Sequence, residues 1–304
     1  MSSETETPRS NTGSGSGGYL GANRRWFVQT KAFALRNLRQ MLRTKATIIW
    51  GFGFPAFWYV LTSLLFLPDP TELGANVAIA DIKGATAVSL GLFAVLTVTL
   101  VAFAGGLGND LSQKRYRKLR SLPVAPSADF AGRYLAGVAV AAVAYVLVLL
   151  VGFLDGATYA LRGPPSLLVV TGSFLLFSLL GVSVAVVVTW LVEDSEIVVG
   201  ITNAILLVSF FLTGYNGMTP GLLPESSRPI VNIAPNSLAA RLQTFHLTET
   251  PAEVPVGAES GGLSPPGLPV GLEFVALLSV WAVVFAVAAS YLMDRAIYSG
   301  EGGE

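Results

Sequence analysis

Six long stretches of the sequence contain no charged residue, and this feature constrains the fold more than any other. Each stretch has 20 to 30 residues and is rich in Leu, Val, Phe and Ala. A helix of about 20 apolar residues crosses a hydrocarbon core roughly 30 Å thick. The sequence therefore predicts an all-α polytopic membrane protein. Its six transmembrane helices are placed at about residues 46–67, 85–108, 134–154, 166–192, 197–213 and 274–293, within a domain of residues 45–298.

The composition supports a membrane location and excludes several other classes of protein. Charged residues make up only 12% of the chain, whereas a typical globular domain has about 25%. The 19 basic and 19 acidic residues cancel, so no overall basic field attracts nucleic acid. The chain has no cysteine, which excludes a disulfide framework, a cysteine zinc site and a thiol nucleophile.

The positions of Lys and Arg predict the orientation in the membrane. Fifteen of the 19 lie before the first span, between the second and third spans, or after the last span. Because cytoplasmic loops are enriched in Lys and Arg, both termini are predicted to be cytoplasmic and residues 214–272 to be an external segment. Arg outnumbers Lys by 14 to 5, which is typical of a GC-rich prokaryotic genome. We therefore expect a multi-pass protein of a prokaryotic cytoplasmic membrane.

The region before the first span divides into two segments. Residues 1–22 are dominated by Ser, Thr, Gly and Glu and are predicted to form a disordered cytoplasmic tail. Residues 23–44 form one apolar and one basic side when drawn as a helix, which is typical of a helix lying in the membrane interface on anionic headgroups. Its apolar side consists of Phe27, Val28, Ala34, Leu35, Leu38, Met41 and Leu42. A positive anchor that only sets the topology explains the same charges, so both interpretations stay open.

The loop at residues 110–130 is the most informative part of the chain. Five of the seven residues from Lys114 to Arg120 are basic, and Pro123 and Pro126 then interrupt any helix. Ser127 is predicted to cap the helix that follows. A cluster that merely stops membrane insertion explains the charge. A short amphipathic helix that docks on a soluble partner and transmits force to the spans explains the charge and the proline corner together.

Missing motifs restrict the source of energy and the chemistry. No GxxxxGK[ST] nucleotide loop is present, and none of the five lysines follows a glycine, so this chain cannot hydrolyse ATP by that route. The span interiors lack Asp, Glu, Lys, Arg and His, which disfavours ion-coupled transport, although sodium sites built from carbonyl groups keep it open. The only histidine, His246, is expected in a solvated external loop. We therefore expect no enzyme activity, no catalytic residue and no metal site.

Two segments resemble a known family of transporters. Residues 114–126 read KRYRKLRSLPVAP, and residues 203–241 contain an apolar run interrupted by Gly and Pro, followed by Asn232-Ile233-Ala234-Pro235. In placement and rhythm these segments are similar to the coupling loop and the last external segment of type-2 ABC exporters. The resemblance covers about residues 24–298. The sequence departs from the family's acidic-Gly-Thr stretch, where Arg117-Lys118-Leu119 stands instead, and residues 248–269 look like an added external loop.

The resemblance implies a fold and functional residues. The fold has an N-terminal elbow helix, six spans, a cytoplasmic coupling helix in loop 110–130 and an external re-entrant hairpin after the fifth span. The coupling residues that contact the ATPase are Lys114, Arg115, Tyr116, Arg117, Lys118, Leu119, Arg120 and Leu122. By analogy, spans one, two and five line the path, with Trp50, Phe54, Phe57, Trp58 and Phe211. An external gate is placed at Gly214, Gly217, Pro220 and Pro224, where a simple loop at the end of the fifth span is the alternative.

The resemblance also implies a function. It is that of the permease subunit of an ATP-driven ABC exporter, which moves an amphiphilic or apolar substrate across the cytoplasmic membrane. A separate ABC ATPase subunit binds ATP and Mg, and this chain holds no cofactor. The other partners are membrane lipid and a second permease copy, most simply as a homodimer. An ion-coupled secondary transporter or a channel is the alternative.

Overall fold

The computed structural model describes residues 15–67, 79–192, 194–212, 233–249 and 272–298. In these ranges all regular structure is helical. The α-helices are α1 (Gly15–Arg43), α2 (Phe54–Leu65), α3 (Ile79–Leu96), α4 (Phe103–Ser112), α5 (Arg115–Arg120), α6 (Pro126–Leu154), α7 (Pro164–Leu191), α8 (Ser195–Leu212), α9 (Pro235–Leu247) and α10 (Leu272–Leu292). Three π-helical segments adjoin them: Thr47–Gly53 before α2, Thr97–Ala102 between α3 and α4, and Met293–Tyr298 after α10.

Five helices in the described ranges are long and apolar enough to cross a membrane, and the prediction of an all-α polytopic membrane protein is confirmed. They are Thr47–Leu65, Ile79–Ser112, Pro126–Leu154, Pro164–Leu191 and Glu273–Arg295. The helix at the predicted fifth span, Ser195–Phe211, is shorter, and residues 213–232 lie outside the described residues. The count of six spans therefore stays a prediction.

The helices of the second and third spans extend beyond the predicted limits of 85–108 and 134–154. The second begins at Ile79 and ends at Ser112, and the third begins at Pro126. At 1.5 Å per residue, the 34 residues of the second helix are about 51 Å long, well over the roughly 30 Å of hydrocarbon. The uncharged runs mark the lipid-embedded part of each helix, whereas backbone hydrogen bonding continues through the charged turns at its ends.

Helix α1 packs closely along the first turns of α6. A Cβ atom added at Gly132 of α6 would lie 2.5 Å from Cβ of Phe33 and 2.7 Å from the carbonyl oxygen of Thr30, so only glycine allows this approach. The predicted apolar side of α1 is divided in two. Met41 is buried in the bundle, whereas Phe27 is exposed, as are Val28, Leu35 and Leu42. The helix begins at Gly15, within the predicted tail of residues 1–22, and residues 1–14 lie outside the described residues.

The second span forms the centre of the bundle. Val88, Leu92, Val95 and Val98 are fully buried on successive turns of one face. Ser89, Leu90 and Phe93, which lie on its other faces, are buried as well. It packs against α6, α7 and α9, which surround it. A Cβ at Gly91 would lie 2.7 Å from the ring of Tyr145 in α6, so this glycine sets the distance between the two helices.

The first and second spans each contain a π-helical segment, and the two segments touch. Pro55 supplies no backbone N–H, so the bond that would reach the carbonyl of Gly51 is lost, and the π-helical Thr47–Gly53 directly precedes this position. A Cβ at Gly51 would lie 3.1 Å from Cγ2 of Val98 in the second π-helical segment. Single π-helical turns within α-helices are frequent at functional sites.

Helix α9 folds back against the bundle, and this corrects the expectation for His246. The side chain of His246 is 4% exposed, and its Nδ1 lies 2.8 Å from Oγ of Ser166 at the start of α7. The expectation of a solvated loop residue is wrong because α9 is a helix packed against α7 and α3. Arg162 secures the same region, since its Nε donates to the carbonyl of Phe245 at 2.7 Å.

Candidate functional site

Four helices meet around the carboxylate of Asp110 near the end of α4. Its Oδ2 accepts hydrogen bonds from Nη2 of Arg36 at 3.0 Å and from Nη2 of Arg133 at 2.6 Å. Its Oδ1 accepts one from Nη1 of Arg115 at 2.6 Å. Asp110 and Arg133 are buried, whereas Arg36 and Arg115 are partly exposed. One carboxylate thus joins α1, α5 and α6 to the end of the second span. We call this end of the bundle the basic end, and the other the far end.

Asp129 and Tyr116 extend this arrangement. Nε of Arg133 donates to Oδ1 of Asp129 at 2.9 Å, one turn earlier in α6. The hydroxyl of Tyr116 in α5 donates to Oδ2 of Asp129, also at 2.9 Å. The guanidinium carbon of Arg133 lies 5.8 Å from the centre of the Tyr116 ring. We call this group the ion cluster; its members are Arg36, Asp110, Arg115, Tyr116, Asp129 and Arg133.

The ion cluster fixes the relative positions of its four helices through its electrostatics. It contains three guanidinium and two carboxylate groups, a net charge of +1. Removing one partner of a buried ion pair typically costs about 3–5 kcal/mol, because the other charge is left uncompensated in a medium of low dielectric constant. A rearrangement that separated α5 from α4 and α6 would therefore break charge-assisted hydrogen bonds at Asp110 and Asp129 together.

Part of the predicted coupling segment faces the interior of this chain. Arg115 and Tyr116 are members of the ion cluster, and Leu119 packs against the buried core. These three positions lie on one side of α5 because residues three and four apart share a helix face. They therefore anchor α5 to the bundle.

Four other positions of the predicted coupling segment face outward. Lys114, Arg117, Lys118 and Leu122 are exposed at the basic end. Lys114 has a left-handed backbone with φ 53°, which separates α4 from α5 and turns α5 across the end of the bundle. The side chain of Arg120 is outside the described residues.

Helix α1 holds the corner between α5 and α6. Nε2 of Gln29 donates to the carbonyl of Pro123 at 2.9 Å, and Oε1 of Gln29 accepts from the backbone N–H of Ala125 at 3.1 Å. The side chain of Gln29 thus provides hydrogen-bond partners for one backbone carbonyl and one backbone N–H that, because of the prolines, have no partner within a helix. The proline corner and α1 therefore move as one unit.

The prediction that Ser127 caps α6 is wrong. The helix begins at Pro126, the N-cap position is Ala125, and Ser127 is the second helical residue. The hydroxyl of Ser127 instead accepts a hydrogen bond from the indole Nε1 of Trp26 in α1 at 3.0 Å. Proline at the first helical position has no N–H to satisfy, so the helix can begin there without a side-chain cap.

A cavity of about 670 Å³ lies beside the ion cluster, within the usual range of small-molecule sites. The end of α1, the first two spans and α8 form its walls. Near the basic end it is lined by amide, hydroxyl and guanidinium side chains, namely Asn37, Gln40, Thr44, Asn109 and Arg133. Deeper in the bundle it is lined by the large apolar side chains Trp50, Phe54, Phe93, Phe103, Leu206 and Leu207.

The structure brings two of the five predicted path residues, Trp50 and Phe54, to the cavity wall. Trp58 stacks on Phe54 with ring centres 5.9 Å apart, one turn farther from the basic end. Phe57 and Phe211 are exposed on the outside of the bundle. The predicted role of all five in lining a path stays a prediction.

Sequence reasoning did not single out the polar lining residues. Thr97 and Asn203 lie within uncharged runs and line the cavity between its polar and apolar ends. A hydrogen-bonding side chain inside an otherwise apolar span is the signal that identifies such positions. Asn37 and Gln40 carry no comparable signal, because amides are ordinary in an interfacial helix.

A second polar cluster joins the first three spans at the far end. Asp155, which follows α6, accepts hydrogen bonds from the hydroxyls of Tyr59 and Ser63 in α2. Its carboxylate also forms an ion pair with Nζ of Lys83 at 3.0 Å. Burial raises the pKa of Asp155, but the hydrogen bonds from Ser63, Lys83 and Tyr59 outweigh burial and lower the pKa below its usual value. The carboxylate therefore stays ionised and links α2, α3 and α6.

The residues predicted to form the external gate, Gly214, Gly217, Pro220 and Pro224, lie outside the described residues. On the chain segment before them, Oδ1 of Asp194 accepts the backbone N–H of Glu196 at 2.7 Å and caps α8. Within the described ranges, His, Cys, Asp and Glu do not group into a metal site.

The family model of ABC-2 type transporters matches residues 28–242, more than two thirds of the chain. The chain belongs to the ABC-2 type transporter family. No curated protein matches it. The match begins in α1 and ends in α9, so it includes the whole ion cluster and the whole cavity. This ABC-2 permease is therefore a multi-pass membrane protein and a transport subunit.

Proposed function

We propose that this ABC-2 permease is the membrane subunit of an ATP-driven exporter, with a separate ATPase subunit that binds its basic end. The observation that carries the proposal is the two-sided placement of α5. One side is fixed to α4 and α6 through Arg115 and Tyr116, while Arg117 and Lys118 are exposed on the other. A movement imposed on α5 is transmitted to helices that line the cavity.

The basic end is proposed to face the cytoplasm of a prokaryote. The exposed basic side chains of α1 and α5 lie at this end, in keeping with the tendency of Lys and Arg to remain on the cytoplasmic side. Both termini are then cytoplasmic, and ATP with Mg is bound by the ATPase subunit, which α5 contacts. The far end, with Asp155 and Lys83, then faces outward.

The cavity is the proposed start of the transport path for an amphiphilic or apolar substrate. Among the described residues its lining is partly open, since Trp50 of the first span is 56% exposed and Leu207 of α8 is 44% exposed. A second copy of the permease, placed against these exposed residues, is proposed to complete the path in a homodimer. Lipid covers the remaining apolar surface, and the segment around Gly214 to Pro224 is the proposed external gate.

The first experiment tests for the ATPase subunit. The tagged chain is purified from native membranes in mild detergent, and the proteins that accompany it are identified. A stoichiometric soluble subunit with a GxxxxGK[ST] nucleotide loop supports the proposal. Recovery of the permease without any ATPase, under conditions that preserve a known transporter complex, overturns it in favour of an ion-coupled carrier or a channel.

The second experiment tests the role of α5 in the purified complex. Arg117→Glu with Lys118→Glu is expected to abolish substrate-stimulated ATP hydrolysis while the permease stays folded in the membrane, because both side chains are exposed and neither belongs to the buried core. The matched control is Lys31→Glu with Arg39→Glu, the same charge change on exposed residues of α1. Stimulation that survives the α5 variant, or is lost equally in the α1 variant, contradicts the coupling role.

A further inference from the structure

The cavity separates polar from apolar lining along its length. On the second span, Asn109 lies at the basic end and Phe93 is the deepest lining residue, 16 positions away. At 1.5 Å per residue this separation is about 24 Å along the helix. A molecule that satisfies both ends therefore has a polar head toward the basic end and an apolar chain toward the middle of the bundle.

The described lining of the cavity lacks the acidic side chains that a site for a cation would need. Among the described residues that line the cavity none is acidic, and Arg133 is the only charged one. Asp110 and Asp129, the carboxylates of the ion cluster, are buried and bind Arg133 and its neighbours, and the exposed Asp194 and Glu196 at the start of α8 are not among the lining residues. A cationic head would lose its hydration and meet no accessible carboxylate, which is costly for a charge in a low-dielectric site.

An anionic head is disfavoured for a related reason. Nε and Nη2 of Arg133 already donate to Asp129 and Asp110 at 2.9 and 2.6 Å, so these two donors are occupied within the chain. The net charge of +1 of the ion cluster comes from Arg36 and Arg115, which are partly exposed and are not among the described lining residues of the cavity. The other polar lining groups at this end, such as Gln40 and Thr44, are uncharged amides and hydroxyls. Uncharged groups that both donate and accept hydrogen bonds match hydroxyl, ether and amide groups of a ligand.

We propose that the cavity selects amphiphiles with an uncharged, hydroxyl-rich or amide-rich head group over cationic and anionic amphiphiles, and receives them laterally from the membrane leaflet at the basic end. This inference rests on the proposed transport function and specifies its substrate class. The proposed lateral mouth lies at Trp50 and Leu207, which line the cavity and are 56% and 44% exposed.

The position of Trp50 provides a direct test. The full chain is placed in nanodiscs of phosphatidylcholine and titrated with three probes that share one brominated dodecyl chain and differ in the head: maltoside, phosphate or trimethylammonium. Bromine quenches a tryptophan that it contacts. The difference between the wild type and Trp50→Phe isolates quenching at the cavity mouth. The same difference for Trp190→Phe, at an exposed position near the basic end of α7, reports plain lipid contact.

The expected result is saturable quenching of Trp50 by the maltoside at a concentration about tenfold lower than for either charged probe. Quenching of Trp190 should show no head-group preference. Gln40→Leu with Asn109→Leu should remove the preference at Trp50, whereas Asn23→Leu, an exposed amide near the other end of α1, should leave it intact. Tighter or equal binding of the trimethylammonium or phosphate probe overturns the proposed selectivity.

A negative result of this experiment can be distinguished from a failure of the proposed function. If no probe quenches Trp50 beyond the level of Trp190 while the ATPase subunit is still recovered with the permease, the cavity does not bind amphiphiles and the exporter assignment stands. If no ATPase subunit is recovered, the exporter assignment falls regardless of the quenching result.

Discussion

The substitution Asp110→Asn tests whether the ion cluster holds the basic end together. Asn has nearly the shape of Asp but no charge, so the substitution leaves packing intact. It removes the carboxylate that accepts hydrogen bonds from Arg36, Arg115 and Arg133. The net charge of the cluster rises from +1 to +2, and buried Arg133 is left with Asp129 as its carboxylate partner.

The expected loss of stability follows from the burial of each partner. Arg36 and Arg115 have side chains that are 36% and 44% exposed, so solvent screens them and each pair contributes about 0–1 kcal/mol. Arg133 is 3% exposed, and breaking a buried pair typically costs about 3–5 kcal/mol. Because Asp129 still pairs with Arg133, we expect a decrease in the free energy of unfolding of about 3 kcal/mol, near the lower limit.

Thermal unfolding in detergent, followed by tryptophan fluorescence, measures this effect. A loss of about 3 kcal/mol corresponds to a melting temperature lower by roughly 6–12 °C. Arg115→Gln is the matched control and should lower it by no more than about 3 °C. If Asp110→Asn is no more damaging than Arg115→Gln, the reasoning about the ion cluster is refuted.

Three further predictions concern other parts of the bundle. Gly132→Ala should destabilise by about 1–3 kcal/mol because its Cβ would meet α1, whereas Gly172→Ala, with open space around it, should be neutral or stabilising; equal melting temperatures would contradict this packing. Burial and the nearby Arg162 lower the pKa of His246, so the unfolded state binds more protons below pH 6.5 and stability should fall as the pH drops through that value. His246→Gln should remove this part of the pH dependence of melting, and an unchanged profile counts against it. Asp155→Asn should cost about 1 kcal/mol at the far end and less in a Lys83→Met background, measured as a double-mutant cycle in which full additivity would argue against the pair.

The candidate site shows which of its features the residue types alone can predict. The basic run from Lys114 to Arg120 and the prolines after it predicted a short helix and a corner in this loop, and the structure places α5 and the corner there. The direction of each side chain was not predictable, because α5 has six residues and either side of it can face the bundle. Only the positions of Asp110 and Asp129 decide that Arg115 and Tyr116 point inward.

The placement of His246 illustrates the same limit at the far end. A lone histidine between Pro-rich and Gly-rich segments has the local context of a loop. Its burial depends on α9 packing against α7, a contact with Ser166 that joins residues 80 positions apart. No local pattern contains that information, since a buried helix of mixed polarity differs from an exposed one only in the surface it meets.

The sequence by itself determined that this protein lies in a lipid bilayer and that its fold is all-α. Uncharged runs long enough to cross a bilayer are a local and additive property, so counting them suffices to predict an all-α polytopic membrane protein. The tertiary structure alone decided which charges meet. Asp110 pairs with Arg36 and Arg133, 74 and 23 positions away, among 19 basic residues that composition cannot rank. The cavity is likewise a product of packing, because its volume is the space left between α1, the first two spans, α6 and α8.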